Sequence, residues 1–231
     1  MKRILLSSTI LLVSFIAHSQ NQPQDHVGNW VMYFGNHKLS EKYSIHNEAQ
    51  LRLYEPFSNF NQGFIRLGLN YHINEYSLVT AGYGYFRTES FTKGENKIFS
   101  NEHRIWEQFI LRNNISRVGF EHRYRLEQRW ISLSDGSDDY KNRVRYRLYV
   151  SVPLNNPQLD DGTIYLAFYD EIFLDLSDTP FDQNRLYGAV GYKVNQALNF
   201  QAGYLRHRLG SVPLDRLQFS VFLNTGLGKS E

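Results

Sequence analysis

The sequence predicts an all-β protein, an antiparallel transmembrane up-and-down β-barrel of ten to twelve strands. Three features predict this fold: alternating apolar and polar segments of about ten residues or more, aromatic residues near segment ends, and short turns alternating with longer polar connections. A soluble β-sandwich also shows alternation, but its strands are usually shorter, roughly 5–6 residues. We therefore favour the membrane barrel, with its aliphatic and aromatic face toward lipid.

The amino terminus has the features of an export signal. A basic start is followed by an apolar run over residues 4–17 and by a small-x-small site at 17–19. We expect residues 1–19 to be a cleaved signal peptide and residues 20–231 to be a single outer-membrane barrel domain. The sequence contains no cysteine, which excludes disulfide bonds and a lipid-modified cysteine at the cleavage site.

The charge balance argues against a nucleic-acid partner. The chain has 25 basic and 23 acidic residues, and removal of Lys2 and Arg3 with the signal leaves the two equal. A protein without excess positive charge lacks the phosphate neutralisation on which nucleic-acid binding largely depends. After the signal, no apolar run approaches the length of a membrane-spanning helix, so a helical membrane protein is excluded.

Eleven segments carry the alternation. They lie near 27–36, 43–54, 60–72, 76–87, 102–112, 115–130, 140–152, 162–174, 184–194, 197–208 and 214–224. Tight turns are predicted at Asn74-Glu75, Asn113-Asn114 and Asn195-Gln196, and long polar loops at 88–101, 131–139 and 175–183. Bacterial barrels use even strand numbers, and a ten-stranded barrel would leave segment 27–36 unassigned. That segment then either belongs to a larger, twelve-stranded wall or lies against the rim or inside the barrel.

The polar face of several strands is charged, and it should point into the barrel. In segment 115–130, Phe120 and Tyr124 fall on one side and Arg123 and Arg125 on the other. The predicted lumen charge network comprises Glu48, Arg52, Arg66, Arg104, Glu121, Arg123, Arg125, Glu127, Arg129, Arg143, Arg145, Arg147, Glu171 and Arg185. Buried charges require partners, so one interpretation is a closed lumen braced by Arg–Glu pairs. The other is a narrow, anion-preferring pore, since bases outnumber acids and arginine binds phosphate and carboxylate bidentately.

Three residues break the pattern on the lipid-facing side: His103, Glu107 and His122. A two-residue turn at Asn113-Asn114 would bring them together, with both His103 and Glu107 diagonal to His122. We consider three explanations: a bulge near Trp106 that turns Glu107 inward, a protein–protein contact, or an enzyme site acting on phospholipid or lipid A. The absence of a serine from the patch weakens the enzyme hypothesis, and we assign no catalytic residue.

Several stretches resemble a family of uncharacterised Gram-negative outer-membrane proteins, catalogued as domain of unknown function 2490. They are "NWVMYFGNHKLSEKYSIHNEAQLR" (29–52), "RLGLNY" (66–71), "AGYGY" (81–85), "HRYRLEQRW" (122–130), "NRVRYRLYVSVPLN" (142–155), "DEIFL" (170–174) and "FDQNRLYGAVGY" (181–192). The resemblance implies an outer-membrane barrel, but it implies no activity and carries over no catalytic residues.

The expected partners follow from this location and this interior. We expect contact with outer-membrane lipid and lipopolysaccharide, and a small anionic solute is a candidate ligand of the lumen. We expect no cofactor, no metal and no nucleic acid, and the oligomeric state is left open.

Overall fold

The computed structural model describes residues 26–91, 97–176 and 180–226. The expected signal peptide, residues 1–19, lies outside the described residues. No helix long and apolar enough to cross a membrane occurs in the part of the chain that is described. The described residues form eleven β-strands: β1 (Gly28–Lys38), β2 (Tyr43–Glu55), β3 (Ser58–His72), β4 (Ser77–Phe91), β5 (Lys97–Ile115), β6 (Val118–Leu133), β7 (Asp138–Pro153), β8 (Thr163–Asp175), β9 (Phe181–Lys193), β10 (Leu198–Leu209) and β11 (Val212–Gly226).

These strands form a closed barrel, which confirms the predicted all-β class and the range of ten to twelve strands. Consecutive strands pair antiparallel, from β1 with β2 to β10 with β11. The barrel is closed by β1 and β11, which pair in parallel from Gly28 opposite Arg216 to Lys38 opposite Gly226. The expectation of an even strand number is therefore wrong, and segment 27–36 belongs to the wall.

Because β1 and β11 run in the same direction, both strands begin at one end of the barrel and finish at the other. We call the end that carries Gly28 and the β10–β11 turn at Gly210 the entry end, and the end that carries Lys38 and Gly226 the exit end. The β2–β3, β4–β5, β6–β7 and β8–β9 connections also lie at the entry end, because consecutive strands alternate in direction.

Two of the predicted long loops, 88–101 and 131–139, are largely strand, whereas the third, 175–183, contains the connection between Asp175 of β8 and Phe181 of β9. Strands β6 and β7 continue to Leu133 and Asp138, so that only residues 134–137 connect them. Residues 88–91 and 97–101 likewise belong to β4 and β5. Outward residues here include polar ones such as Asn101 and Ser132, which made these segments look like loops, while the backbone pairing between neighbouring strands continues. The β5–β6 turn also differs from the prediction.

That turn lies at residues 116–117 rather than at Asn113-Asn114, because Ile115 pairs with Val118. Ser116 adopts a positive φ of 55°, a left-handed conformation that completes a tight hairpin. The shift of the turn changes which residues of β5 and β6 face each other, and it therefore bears on the outer patch described below.

The alternation sorts apolar side chains outward and charged ones inward. Ile65 and Leu67 on the outer wall are 62% and 59% exposed, whereas Arg66 between them is buried. The inward positions Gly68 and Gly82 lie under the indole of Trp106, and a Cβ atom at either would approach that ring within 2.8 or 2.7 Å. Glycine at these positions makes room for a large aromatic ring inside the barrel.

Candidate functional site

The barrel encloses a cavity of about 890 Å³. Its lining includes Ser90 and Leu209 near the entry end, and His72 and Asn224 near the exit end. The cavity therefore extends along much of the barrel axis, and its walls are the inward faces of the strands.

Glu127 on β6 lies at the centre of the charged wall and has no solvent-exposed surface. Its carboxylate accepts two hydrogen bonds from Arg143, at 2.6 and 3.0 Å, and one from Arg145 at 2.7 Å. Arg104 donates a fourth from the β5 side, at 3.2 Å. A single carboxylate thus joins β5, β6 and β7 through charge-assisted hydrogen bonds.

Glu171 on β8 is a second shared carboxylate. It accepts hydrogen bonds from Arg123 at 2.6 Å and from Arg145 at 2.7 and 3.0 Å, so Arg145 bridges Glu127 and Glu171. Arg185 approaches Glu171 only to 4.0 Å. The network therefore continues from β5 to β9 around the inner wall.

Three further carboxylates extend the network toward its edges. Glu48 pairs with Arg66 at 3.2 Å. Glu102 pairs with Arg104 at 2.6 Å and with Arg129 at 2.8 Å. Glu121 pairs with Arg147 at 2.6 Å and with Arg112 at 2.9 Å.

Two arginines of the wall bind neutral amides instead of carboxylates. Arg125 donates to the side-chain oxygen of Gln108 at 2.7 and 3.1 Å. Arg52 donates to the side-chain oxygens of Gln50 and Gln62 at 2.8 and 2.7 Å. Among the described residues, no carboxylate is hydrogen-bonded to either guanidinium group, and Arg125 approaches Glu127 only to 3.9 Å.

Aromatic rings inside the barrel pack against the guanidinium groups of several arginines. The guanidinium carbon of Arg104 lies 3.9 Å from the ring centroid of Phe86, and that of Arg145 lies 4.2 Å from the centroid of Phe173. Such cation–π contacts stabilise a charge that has left water. These inward aromatic residues were not identified from the sequence. Phe86 lies two positions after inward Gly84 on the same strand, and this spacing could have placed it inside.

Positive charge exceeds negative charge in the interior. Among the described residues, nine arginines and four glutamates are buried, which is an excess of five positive charges. Buried charge without a partner is strongly unfavourable. The excess therefore requires water or anions inside the cavity.

The structure places the predicted network residues together. All of them line the cavity except Glu127, which is fully buried behind the arginines that bind it. The ion pairs among them connect β2 and β3 at one side with β5, β6, β7 and β8 at the other.

The predicted outer patch is not assembled. His122 lies opposite Leu111 rather than Ile105, and Glu107 lies opposite Leu126, so His122 is not a diagonal neighbour of Glu107. The bulge expected near Trp106 is also wrong, because β5 and β6 pair without a register shift and Glu107 is exposed on the outer wall.

Each patch residue has a separate local partner. His103 bonds to the Tyr83 hydroxyl, His122 to the Tyr146 hydroxyl at 2.9 Å, and Glu107 accepts from Gln128 at 3.2 Å. Within the described ranges, no group of three or more His, Asp or Glu side chains could hold a metal ion. The geometry does not bring these three side chains together for catalysis.

One known protein family matches most of the barrel. The sequence model of a family described as protein of unknown function (DUF2490) matches residues 27–218. The chain belongs to this family. The match begins one residue before β1 and ends within β11, so the DUF2490 region contains nearly the whole barrel wall and confirms the family resemblance. A search among curated proteins found no match to the chain.

Proposed function

We propose that this DUF2490 protein is an outer-membrane β-barrel whose Arg/Glu-braced lumen admits small anions. The observation that carries the proposal is the inverted distribution of polarity: the wall is apolar outside and charged inside. A water-soluble barrel has the opposite arrangement, since burial of apolar side chains drives its folding.

The outer wall supports the membrane part of the proposal. Large apolar side chains are exposed on many strands, including Leu69, Leu186 and Val190 at more than half of their surface. A soluble monomer rarely exposes contiguous apolar patches larger than a few hundred Å². Strands of 11 to 19 residues are also long enough for a tilted membrane crossing, which takes roughly 9–11 residues.

The interior supports the anion part of the proposal. The cavity reaches toward both ends of the barrel, and its charged wall carries more arginine than glutamate. An excess of fixed positive charge in a narrow, low-dielectric passage attracts anions and repels cations. The guanidinium groups also offer paired donors that match oxyanions.

Location is tested by fractionation. The protein, expressed with its own amino terminus, should be recovered with outer membranes and should migrate faster unheated than boiled on a detergent gel. Recovery as a soluble periplasmic protein, with no change of mobility on heating, would contradict the barrel in the membrane.

Anion passage is tested with purified protein in planar bilayers. Under a potassium chloride gradient, the reversal potential should show preference for chloride, and Arg125→Gln should reduce that preference because it removes one wall charge whose hydrogen bonds go to a neutral amide. Glu107→Gln, on the outer wall, is the matched control and should leave the selectivity unchanged. Absence of conductance would identify a closed, structural lumen, and a large conductance without ion preference would contradict both interpretations.

A further inference from the structure

We infer that the lumen contains a discrete binding site for a phosphate-class oxyanion, formed by Arg52 of β2 and Arg185 of β9 beside the ring of Trp30 of β1. The inference rests on the proposed function in one respect, namely that the anion reaches the site through the lumen. It goes further in assigning the residues and the class of ligand.

The two arginines approach one ring from strands on the two sides of β1, with β2 next to it and β9 three strands away. Their guanidinium carbons lie 4.0 and 4.9 Å from the ring centroid of Trp30. They are therefore within about 9 Å of each other, close enough for one anion to accept hydrogen bonds from both. Both side chains and Trp30 line the cavity.

Neither arginine donates a hydrogen bond to a carboxylate among the described residues, unlike most arginines of the network. Arg52 donates only to the amide oxygens of Gln50 and Gln62 among the described residues. Arg185 donates weakly to Gln183 at 3.4 Å, and its buried Nε atom has no hydrogen-bond partner. A buried guanidinium donor without an acceptor is costly, so an added acceptor would stabilise this arrangement.

Glu171 does not supply this acceptor in the observed arrangement. Its Oε2 lies 4.0 Å from Arg185, beyond hydrogen-bond distance, and its Oε1 accepts the hydrogen bonds of Arg123 and Arg145. On the Arg52 side, Gln50 donates to Glu48 while accepting from Arg52, and Glu48 is itself paired with Arg66. Among the described residues, no carboxylate is therefore hydrogen-bonded to either arginine, and the only ion pair of the two is the 4.0 Å approach of Arg185 to Glu171.

The geometry favours a tetrahedral anion over a planar one. A ligand between two guanidinium groups must present oxygens toward both, which phosphate does with its four oxygens and a carboxylate does poorly with two on one edge. The ring of His207 packs edge-on against Trp30, with 5.3 Å between the ring centroids, and its Nε2 is hydrogen-bonded to the side-chain oxygen of Gln183 at 3.0 Å. The site thus combines two charges with an aromatic wall.

Tryptophan fluorescence gives a direct readout, because Trp30 is part of the site. The mature protein in detergent micelles should show a saturable change of fluorescence on titration with inorganic phosphate, and Trp30→Phe should abolish the signal while Trp106 and Trp130 remain. Acetate should bind more weakly than phosphate.

The variants distinguish a site from general attraction. Arg52→Gln and Arg185→Gln should each weaken phosphate binding by roughly tenfold or more, as expected for loss of a charged hydrogen-bond donor. Arg112→Gln, which removes a half-exposed lumen charge paired with Glu121, should leave the affinity nearly unchanged. Retained heat-modifiability of each variant shows that it is folded.

Two results would overturn the inference. One is the absence of saturable phosphate binding by folded wild-type protein, and the other is an equal loss of affinity in the Arg52, Arg185 and Arg112 variants. Equal affinity for acetate would refute the phosphate class. If the protein conducts chloride but does not bind phosphate, this inference is refuted and the proposed function stands. If the protein is neither heat-modifiable nor found in the membrane, the proposed function itself is refuted.

Discussion

Removal of the Glu127 carboxylate should destabilise the barrel more than any comparable change on its outer wall. Glu127→Gln keeps the shape of the side chain but removes the charge that accepts four hydrogen bonds from Arg104, Arg143 and Arg145. Hydrogen bonds to charged groups contribute roughly 1.5–3 kcal/mol each, which sets a ceiling of about 6–12 kcal/mol for the four.

The expected loss is smaller than this ceiling, because each arginine has a second acidic partner. Arg104 also pairs with Glu102, Arg143 with Asp182 at 2.9 Å, and Arg145 with Glu171. Removing one partner of a buried pair typically costs about 3–5 kcal/mol, and we expect a value in this range for Glu127→Gln.

Urea unfolding in detergent micelles or lipid vesicles, followed by tryptophan fluorescence, measures the free energy of unfolding. Glu107→Gln is the matched control: Glu127 pairs across the sheet with Trp106, so Glu107 lies at the same level on the opposite face, bonded only to Gln128 among the described residues. Its loss should change stability by less than about 1 kcal/mol. Equal effects of the two substitutions would show that the network does not brace the barrel.

Two further predictions concern packing and a surface turn. Gly82→Ala should destabilise the barrel by about 1–3 kcal/mol in the same unfolding assay, because the new methyl group would meet the backbone oxygen of Leu67 and the ring of Trp106. Gly188→Ala, with its nearest contact at 3.5 Å, should be tolerated, and equal effects of the two substitutions would contradict the packing argument. In the β6–β7 turn, hydrogen bonds from the Ser137 hydroxyl and amide hold the pKa of the Asp135 carboxyl below its ordinary value. The hydrogen bonds from Ser137 should be present above the ordinary pKa of an aspartate and be lost as the pH falls through the lowered pKa of Asp135. Carboxyl-detected NMR should show a higher pKa of Asp135 in Ser137→Ala, and an unchanged pKa would refute the role of these hydrogen bonds.

Much of this fold was predictable because successive side chains of a strand point to opposite faces, so that polar and apolar residues alternate with a period of two. Arg123, Arg125 and Glu127 share a parity, and that parity alone places them inside. Partner choice was not predictable, since parity gives the face of a residue but not its contacts, and Glu171 lies within ion-pair distance of arginines from three other strands.

The closing strand and the hairpin register could not be read from the chain. Strand β1 is apolar on both faces, with Trp30 buried inside and Val31 exposed outside, so its alternation does not show which side faces the lumen. The β5–β6 turn depends on a left-handed Ser116, a conformation with no strong sequence signal. The shift of that turn is what separated His122 from Glu107.

The parallel contact between β1 and β11 sets the order in which the barrel can fold. Every other strand pair joins neighbours in the chain, whereas this contact joins residues such as His37 and Thr225, 188 positions apart. Closing a loop of that length instead of a four-residue turn costs about 3 kcal/mol more in chain entropy. The contact should therefore form last, after a curved sheet of antiparallel hairpins has assembled. Until then β1 and β11 are open edges, and a chain delayed at this step would expose two strands able to pair with another molecule.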